Sequence, residues 1–254
     1  MNSILSITAL VIAIVGCVLI IRASFFRPAP LSEEKVSAMI EEKTKTFVTK
    51  EKVKGIIKEA IAALKPAASK KVIKKEERSE QMLPKIKGKK VVMIIARNNF
   101  RDEELEIPKD IFEKQGAKVT IASSSLNKAT GMLGTVVNPD ILLSDVKVQD
   151  YDAVIFVGGP GASEYWNNKT AHAIAKKTLD FNKLLCAICI APVTLANAGV
   201  LKGRKATVWP SEKGKLGPSY TGASVEIDGN IITADGPTSA TKFAKAIVSA
   251  LSKK

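Results

Sequence analysis

The stretch LLCAICIAP, residues 184–192, decides the fold of this chain. It begins with an uninterrupted apolar run, which is the pattern of a strand covered on both faces of a sheet. The run stops at Cys189, and Pro192 then opens a helical segment, a position that proline favours. A buried strand that ends abruptly before a helix, with a reactive side chain in the turn, is typical of a nucleophile elbow. The pattern therefore predicts that Cys189 is the reactive residue.

The place of Cys189 also predicts its ionisation. The first turn of a helix presents unpaired N–H groups and the positive end of the helix dipole. Both favour a thiolate over a thiol, so we expect the pKa of Cys189 to be lowered. Cys186 falls within the apolar strand, and we expect it to be buried and unreactive.

Strands and helices alternate along the rest of the chain. Apolar runs predict strands at residues 90–96, 118–123, 153–157 and 184–188, and helical patterns cover residues 103–115, 170–181 and 239–252. Continuous apolar strands of this kind predict an α/β three-layer sandwich with a mostly parallel sheet, in a domain spanning residues 88–254. The pair Asp228-Gly229 predicts a β-hairpin near the edge of that sheet.

The N-terminal part of the chain has a different character. Residues 4–21 form an uncharged run of eighteen residues, near the lower limit for crossing a bilayer. We interpret residues 1–27 as a single-pass transmembrane anchor; the alternative is a cleaved signal peptide, which normally has a basic residue before its apolar run. Because the first basic residues, Arg22 and Arg27, follow the run, the domain behind it is predicted to lie in the cytoplasm.

A basic linker, residues 28–87, joins the anchor to the domain. The whole chain has a net charge of +14, and residues 28–90 alone contain seventeen Lys or Arg and nine Glu. Apolar residues recur at helical spacing over residues 32–48 and 50–64, which predicts two amphipathic helices followed by a flexible spacer. We expect this linker to meet anionic lipid, although a solvated linker has the same composition. No nucleic-acid partner is predicted, because no aromatic residues interleave with the lysines.

Residues that follow the strands are the candidates for chemistry, because ligands of such sheets gather at the carboxyl ends of the strands. The strand at residues 90–96 is followed by the acidic run RDEELE, residues 101–106, the strand at 153–157 by Gly158 and Gly159, and the strand at 184–188 by Cys189. A carboxyl group from the first segment can hydrogen-bond the sulfur, while N–H groups of the glycine turn and the elbow can hold an oxyanion. Asp102 and Glu103 are interpreted as first-turn acids favoured by the helix dipole.

Four of these segments carry a family resemblance. FRDEELEIP (residues 100–108), VGG (157–159), AIC (187–189) and DGP (235–237), in this order, resemble the DJ-1/PfpI family of the class I glutamine-amidotransferase-like superfamily. The resemblance implies a flavodoxin-like fold and a dimer or higher homo-oligomer. Members of the family are described as cysteine peptidases, glyoxalases or protein deglycases, chaperones and oxidative-stress sensors.

The resemblance also assigns roles to particular residues. It implies that Cys189 is the elbow nucleophile and that Glu104, four residues before the helix proline Pro108, is its acid. Gly158 and Gly159 match the glycine pair of the oxyanion site, to which the N–H of Ile190 would also contribute.

Both histidines that family members use are replaced in this chain. Peptidase-like members have a histidine directly after the elbow cysteine, where this chain has Ile190. Other members have one before a proline, where this chain has Trp209 before Pro210, and Trp209 would shape the pocket. The single histidine, His172, falls on a predicted helix and matches no family motif. Proton transfer would then depend on Glu104, with a pKa raised by burial. Two thiols and one distant histidine do not fill a zinc site, so neither a metal nor a cofactor is predicted.

Two hypotheses remain open at this point. In the first, Cys189 attacks a small carbonyl or acyl group, as in a glyoxalase, a deglycase or a hydrolase, with a reactive aldehyde or a modified protein as substrate; peptidase activity is not expected. In the second, the domain is a non-catalytic redox-sensing or binding module. The absence of the usual histidines favours the second hypothesis, and the elbow pattern favours the first.

Overall fold

The computed structural model describes residues 83–254. The strands in this part of the chain are β1 (Lys90–Ile95), β2 (Asn98–Phe100), β3 (Lys118–Ser123), β4 (Ala129–Gly131), β5 (Val136–Val137), β6 (Ile141–Leu142), β7 (Ala153–Phe156), β8 (Leu184–Ile188), β9 (Val225–Asp228) and β10 (Ile231–Ala234). The α-helices are α1 (Asp102–Lys114), α2 (Lys169–Asp180), α3 (Pro192–Asn197), α4 (Lys213–Leu216) and α5 (Ala240–Leu251). Short 3₁₀ turns, such as Pro160–Tyr165, join several of them.

Seven strands form one sheet in the order β6-β3-β1-β7-β8-β10-β9. All neighbours are parallel except β9 and β10, which form an antiparallel pair at the edge. The predicted mostly parallel sheet is therefore confirmed, and the Asp228-Gly229 turn joins the antiparallel pair. Gly229 adopts φ +60°, a conformation that suits glycine in a tight turn.

The sheet is covered on both faces, because alternate residues of each strand point to opposite sides. On one face Val91, Met93 and Ile95 of β1 pack with residues of α1 and α5. On the other face Val92 and Ile94 pack with residues of α2 and α3. Ile86, which precedes the predicted domain boundary at residue 88, is also buried in the first of these cores.

The turn after β8 places Cys189 at the carboxyl edge of the sheet. All five residues of β8 are buried, and the Cys189 N–H extends the pairing by donating to the Ala234 carbonyl at 2.9 Å. Cys189 itself adopts φ +63°, a left-handed conformation that is uncommon for a residue with a side chain. The chain then reverses into α3, which begins at Pro192 as predicted.

A second, smaller sheet is formed by short strands that follow β1 in the sequence, and it was not predicted. It has the order β2-β4-β5 and consists of strands of two or three residues. The Asp102 carboxylate fixes its turn by accepting the N–H groups of Leu133 and Thr135, both at 2.8 Å. Asp102 lies in the first turn of α1, as predicted, and it is buried, where it also holds this turn.

The predicted anchor, residues 1–27, and residues 28–82 of the predicted linker 28–87 lie outside the described residues. Within residues 83–254, no helix combines the length and the apolar character needed to cross a bilayer.

Candidate functional site

The side chains of Cys189 and Glu104 converge at Gly158. Cys189 follows β8, Glu104 lies in the first turn of α1, and Gly158 follows β7, so three different elements meet at one point. A Cβ atom at Gly158 would lie 2.4 Å from the Cys189 Cβ and 2.5 Å from Oε2 of Glu104. Only a glycine leaves room for the thiol and the carboxyl to face each other here.

The Glu104 carboxyl is held in a buried position without a salt bridge. Its side chain is fully buried. Oε2 accepts the Gly158 N–H at 3.1 Å, while Oε1 has no hydrogen-bond partner among the described residues. Burial raises the pKa of Glu104 to about 8, although the Cys189 side chain and the Arg101 charge act to lower it. The carboxyl therefore holds a proton at neutral pH.

The Cys189 thiol is only 8% exposed. Burial, together with the neighbouring Glu104 charge, raises the pKa of Cys189 to about 12, while the N–H groups of Gly159 and Ile190 donate to the sulfur and lower it. The predicted lowering of the Cys189 pKa is therefore wrong, because burial outweighs the effect of the two N–H groups. The reason is that α3 is a helix of six residues, and the loss of hydration is the larger effect.

The two groups share their titration, because each one changes the charge that the other experiences. When Glu104 is protonated, the negative charge that raises the pKa of Cys189 is absent. The carboxyl O–H can then donate to the sulfur in addition to the N–H groups of Gly159 and Ile190. The site therefore stabilises a thiolate on Cys189 when the pair holds one proton and that proton is on Glu104.

The two glycines have different parts in this geometry. The N–H of Gly158 is engaged by Glu104, so it positions the carboxyl and is not free to hold an oxyanion. Gly159 adopts φ +91°, and a Cβ there would lie 2.3 Å from the Arg101 nitrogen. The Gly159 N–H lowers the pKa of Cys189 by hydrogen bonding, and it can also bind an oxyanion formed next to the sulfur.

Ile190 and Trp209 border the elbow through their backbone. The Ile190 carbonyl accepts the indole N–H of Trp166 at 3.2 Å. The Trp209 N–H donates to the Cys189 carbonyl at 2.8 Å. The Trp209 ring is 37% exposed and lies over Gly236, where a Cβ would be 2.7 Å from the ring.

Two residues near the site were not identified from the sequence. Arg101 makes a two-pronged ion pair with Glu103, with N–O distances of 2.7 and 2.9 Å, and its charge acts on both Glu104 and Cys189. Trp166 anchors the elbow through Ile190. Arg101 follows a strand that ends at the carboxyl edge, which was a usable signal, whereas no sequence pattern marks Trp166.

Two other candidate residues lie apart from this chemistry. The His172 Nε2 is 2.8 Å from the Trp166 carbonyl oxygen, on the helix α2. Cys186 is completely buried, and burial raises the pKa of its thiol, as expected for an unreactive strand residue. Among residues 83–254, no three His, Cys, Asp or Glu side chains are grouped so that they could hold a metal ion.

The fold and the site together define a flavodoxin-like α/β protein with a buried cysteine and a buried carboxyl at the carboxyl edge of its sheet. The model of the DJ-1/PfpI family matches residues 89–250, and the chain belongs to this family. The resemblance carried by the sequence motifs is thereby confirmed for the domain.

Relatives are found among archaeal and bacterial proteins. An uncharacterised protein of Methanocaldococcus jannaschii is 41% identical over 181 residues, which cover 69% of this chain and 88% of that protein. A Pyrococcus abyssi protein named a deglycase is 33% identical over 149 residues, covering 58% of this chain and 90% of that protein. The crystal structure of a ThiJ/PfpI domain protein from Brachyspira murdochii has a TM-score of 0.64 and 34% identity, and it covers 66% of this chain and 99% of that one.

Proposed function

We propose that this protein uses Cys189 as a nucleophile on small carbonyl or acyl groups, in reactions of the glyoxalase, deglycase or hydrolase type. The observation that carries the proposal is the convergence of Cys189 and Glu104 on Gly158, with two N–H groups directed at the sulfur. The deglycase name of the Pyrococcus abyssi relative suggests a reactive aldehyde or a glycated protein as substrate. Peptidase activity is not part of the proposal, because Ile190 stands where peptidase-like members carry histidine.

The proposed first step uses the pair with a single proton. The Cys189 thiolate attacks the carbonyl carbon, a C–S bond forms, and the carbonyl π electrons move to the oxygen. The N–H groups of Gly159 and Ile190 stabilise the oxyanion. Glu104 then gives its proton to the oxyanion, which leaves a neutral hemithioacetal and a carboxylate. That carboxylate can take back a proton from the hemithioacetal hydroxyl when the adduct breaks down.

The experiment compares Cys189→Ala with Cys186→Ala. Both variants remove one thiol, but only Cys189 faces Glu104. We expect Cys189→Ala to lose turnover of methylglyoxal and of an activated ester, while Cys186→Ala retains it and circular dichroism shows both variants folded. Unchanged turnover in Cys189→Ala contradicts the proposal.

A second candidate function is a redox sensor or binding module, and the replacement of the histidines that family members use, by Ile190 and Trp209, favours it. In this function, peroxide oxidises the sulfur to a sulfenic acid and is itself reduced, with loss of hydroxide or water. Mild peroxide treatment followed by mass spectrometry should then give one oxidised Cys189 per chain, with no turnover of any carbonyl substrate. Multiple turnover refutes this candidate.

We further propose that residues 1–27 anchor the protein in a membrane by a single span, with the basic linker 28–87 and the domain on the cytoplasmic side. The uncharged run at residues 4–21 and the basic residues behind it support this. Resistance of the full chain to alkaline carbonate extraction tests the anchor, and protease digestion of intact cells tests the side. A homo-oligomer remains a prediction from the family, and light scattering of the purified protein tests it.

A further inference from the structure

The amino edge of the large sheet, opposite the candidate site, is rich in lysines. We use the name basic edge for six of them: Lys87, Lys90, Lys118, Lys183, Lys253 and Lys254. Five of the six are exposed, and Lys183 is partly buried. They come from parts of the chain far apart in sequence, so the fold is what brings them together.

Several contacts place Lys90, Lys118, Lys183 and Lys254 on one surface, and Lys253 adjoins Lys254 in sequence. A Cβ at Gly116, shortly before Lys118, would lie 3.3 Å from the Lys87 Cα. Lys90 and Lys118 are register partners at the starts of β1 and β3. Lys183 immediately precedes β8, and Leu184 donates to the Asp152 carbonyl at 3.1 Å, while Asp152 donates to the Lys90 carbonyl at 2.7 Å. The Lys254 ammonium reaches the Asn182 carbonyl at 2.6 Å. Burial and the charge of Lys183 lower the pKa of Lys254, as expected for neighbouring cations.

Local structural roles account for only part of this group. Lysines near helix C-termini interact favourably with the helix dipole, and this accounts for Lys253 and Lys254 after α5. Lys90 and Lys118 begin strands, where no comparable dipole exists. Among the acidic residues at this edge, Asp152 forms an ion pair with Lys89 at 3.7 Å. The exposed lysines of the basic edge therefore leave an excess of positive charge on this surface.

The chain enters the domain at the same edge. The Ile86 N–H donates to the Gln115 carbonyl at the end of α1, and Leu83 packs against the core beneath it. The preceding residues 28–82 contain thirteen Lys or Arg and nine Glu, and residues 4–21 are uncharged. Chain entry and basic surface therefore coincide, while Cys189 and Glu104 lie at the opposite edge of the sheet.

We propose that the basic edge docks on an anionic lipid surface, with the candidate site turned away from the membrane towards its substrates. Phosphate headgroups complement clustered lysines, and an attached membrane segment would hold the domain within the range of this attraction. The proposal does not depend on the chemistry of Cys189.

Vesicle co-sedimentation of residues 83–254 tests the docking surface without the anchor or the linker. This fragment contains both hydrophobic cores, and the similar domain makes up 99% of the Brachyspira murdochii chain, so we expect the fragment to fold by itself. We expect it to bind vesicles with about 30 mol% phosphatidylserine and not vesicles of phosphatidylcholine, and to be released at about 0.5 M salt.

Two charge-matched variants locate the surface. In the first, Lys87, Lys90, Lys118 and Lys253 are changed to Gln; in the control, the exposed Lys128, Lys169, Lys176 and Lys242 are changed to Gln. Because each lysine near an anionic surface contributes about fivefold in affinity, we expect the first variant to lose at least about twentyfold and the control to lose little. Equal losses in both variants, or no binding by the wild-type fragment, overturn the proposal. Tighter binding to random-sequence RNA than to anionic vesicles also overturns it.

The full chain provides a test of orientation. Reconstituted in vesicles with phosphatidylserine, it is treated with an acetylating reagent, and the labelled lysines are identified by mass spectrometry. Lys90 and Lys118 should be protected relative to Lys176 and Lys242, and the protection should vanish in phosphatidylcholine vesicles. Protection of Lys176 and Lys242 instead shows that another face meets the membrane.

Discussion

Replacing Glu104 by Gln is expected to make the folded protein more stable at alkaline pH and to remove turnover. The carboxyl is buried without a salt bridge, so its negative form is costly in the folded protein. Gln has the same shape, cannot ionise, and keeps an oxygen that can accept the Gly158 N–H. The substitution therefore removes the cost of ionisation while leaving the packing in place.

The magnitude follows from the pKa of Glu104, which is raised from 4.5 to about 8. The unfolded chain releases this proton near pH 4.5, whereas the folded protein holds it to about pH 8. Between these values the folded state binds more protons, so the free energy of unfolding falls as the pH rises. Each pH unit corresponds to about 1.4 kcal/mol, which gives a loss of about 3–5 kcal/mol at pH 9.

Urea unfolding of the wild-type protein and of Glu104→Gln across this pH range measures the difference. The two curves should meet near pH 4.5 and separate steadily up to about pH 8, with the variant more stable. Glu106→Gln, which removes an exposed carboxylate from the same helix, should follow the wild type. Parallel curves for the wild type and Glu104→Gln would refute the reasoning, because they would mean that the buried carboxyl ionises as it does in the unfolded chain.

Three further substitutions test the geometry around this pair. Gly158→Ala forces a methyl group between the thiol and the carboxyl, so it should lower the free energy of unfolding by about 1–3 kcal/mol and slow Cys189 alkylation. Gly214→Ala is the control, because Gly214 has open space around it, and it should change neither quantity. Asp102→Asn leaves one of the two N–H donors of the β4–β5 turn without an acceptor, so it should lower the free energy of unfolding by about 1–3 kcal/mol. An unchanged rate of Cys189 alkylation would show that the site is intact. Trp166→Phe removes the indole hydrogen bond to Ile190 and should raise the apparent pKa of Cys189 alkylation; an unchanged pH profile would exclude this positioning role.

The sequence predicted the large sheet well because its strands are buried on both faces. Residues 118–123 and 184–188 coincide with β3 and β8, since short runs of apolar and β-branched residues between helical segments are typical of buried parallel strands. The antiparallel edge pair was also predicted, because Asp228-Gly229 is a strong local turn signal.

The raised pKa of Glu104 was predicted, but the smaller sheet and the raised pKa of Cys189 could not be predicted from the sequence. Strands of two or three residues have no periodicity to detect, and β4 and β5 are joined by a turn that Asp102 holds from about thirty residues away. The helix dipole at Cys189 could be predicted from local sequence. The burial that outweighs it depends on how α1 and the turn after β7 pack over the thiol, which only the assembled fold determines.

Because the chain has a single histidine, the pH dependence of any reaction at Cys189 tests how the proton moves. That histidine, His172, lies on α2, and its Nε2 contacts the Trp166 carbonyl oxygen. No imidazole is therefore in place to take a proton from the thiol. Thiolate formation then requires the Glu104–Cys189 pair to lose its first proton, and kcat/KM should rise once, with an apparent pKa near that of Glu104, about 8. Glu104→Gln should abolish that rise. A wild-type profile with its rise near pH 6.5, the ordinary range of histidine, would instead mean that a different group activates the cysteine.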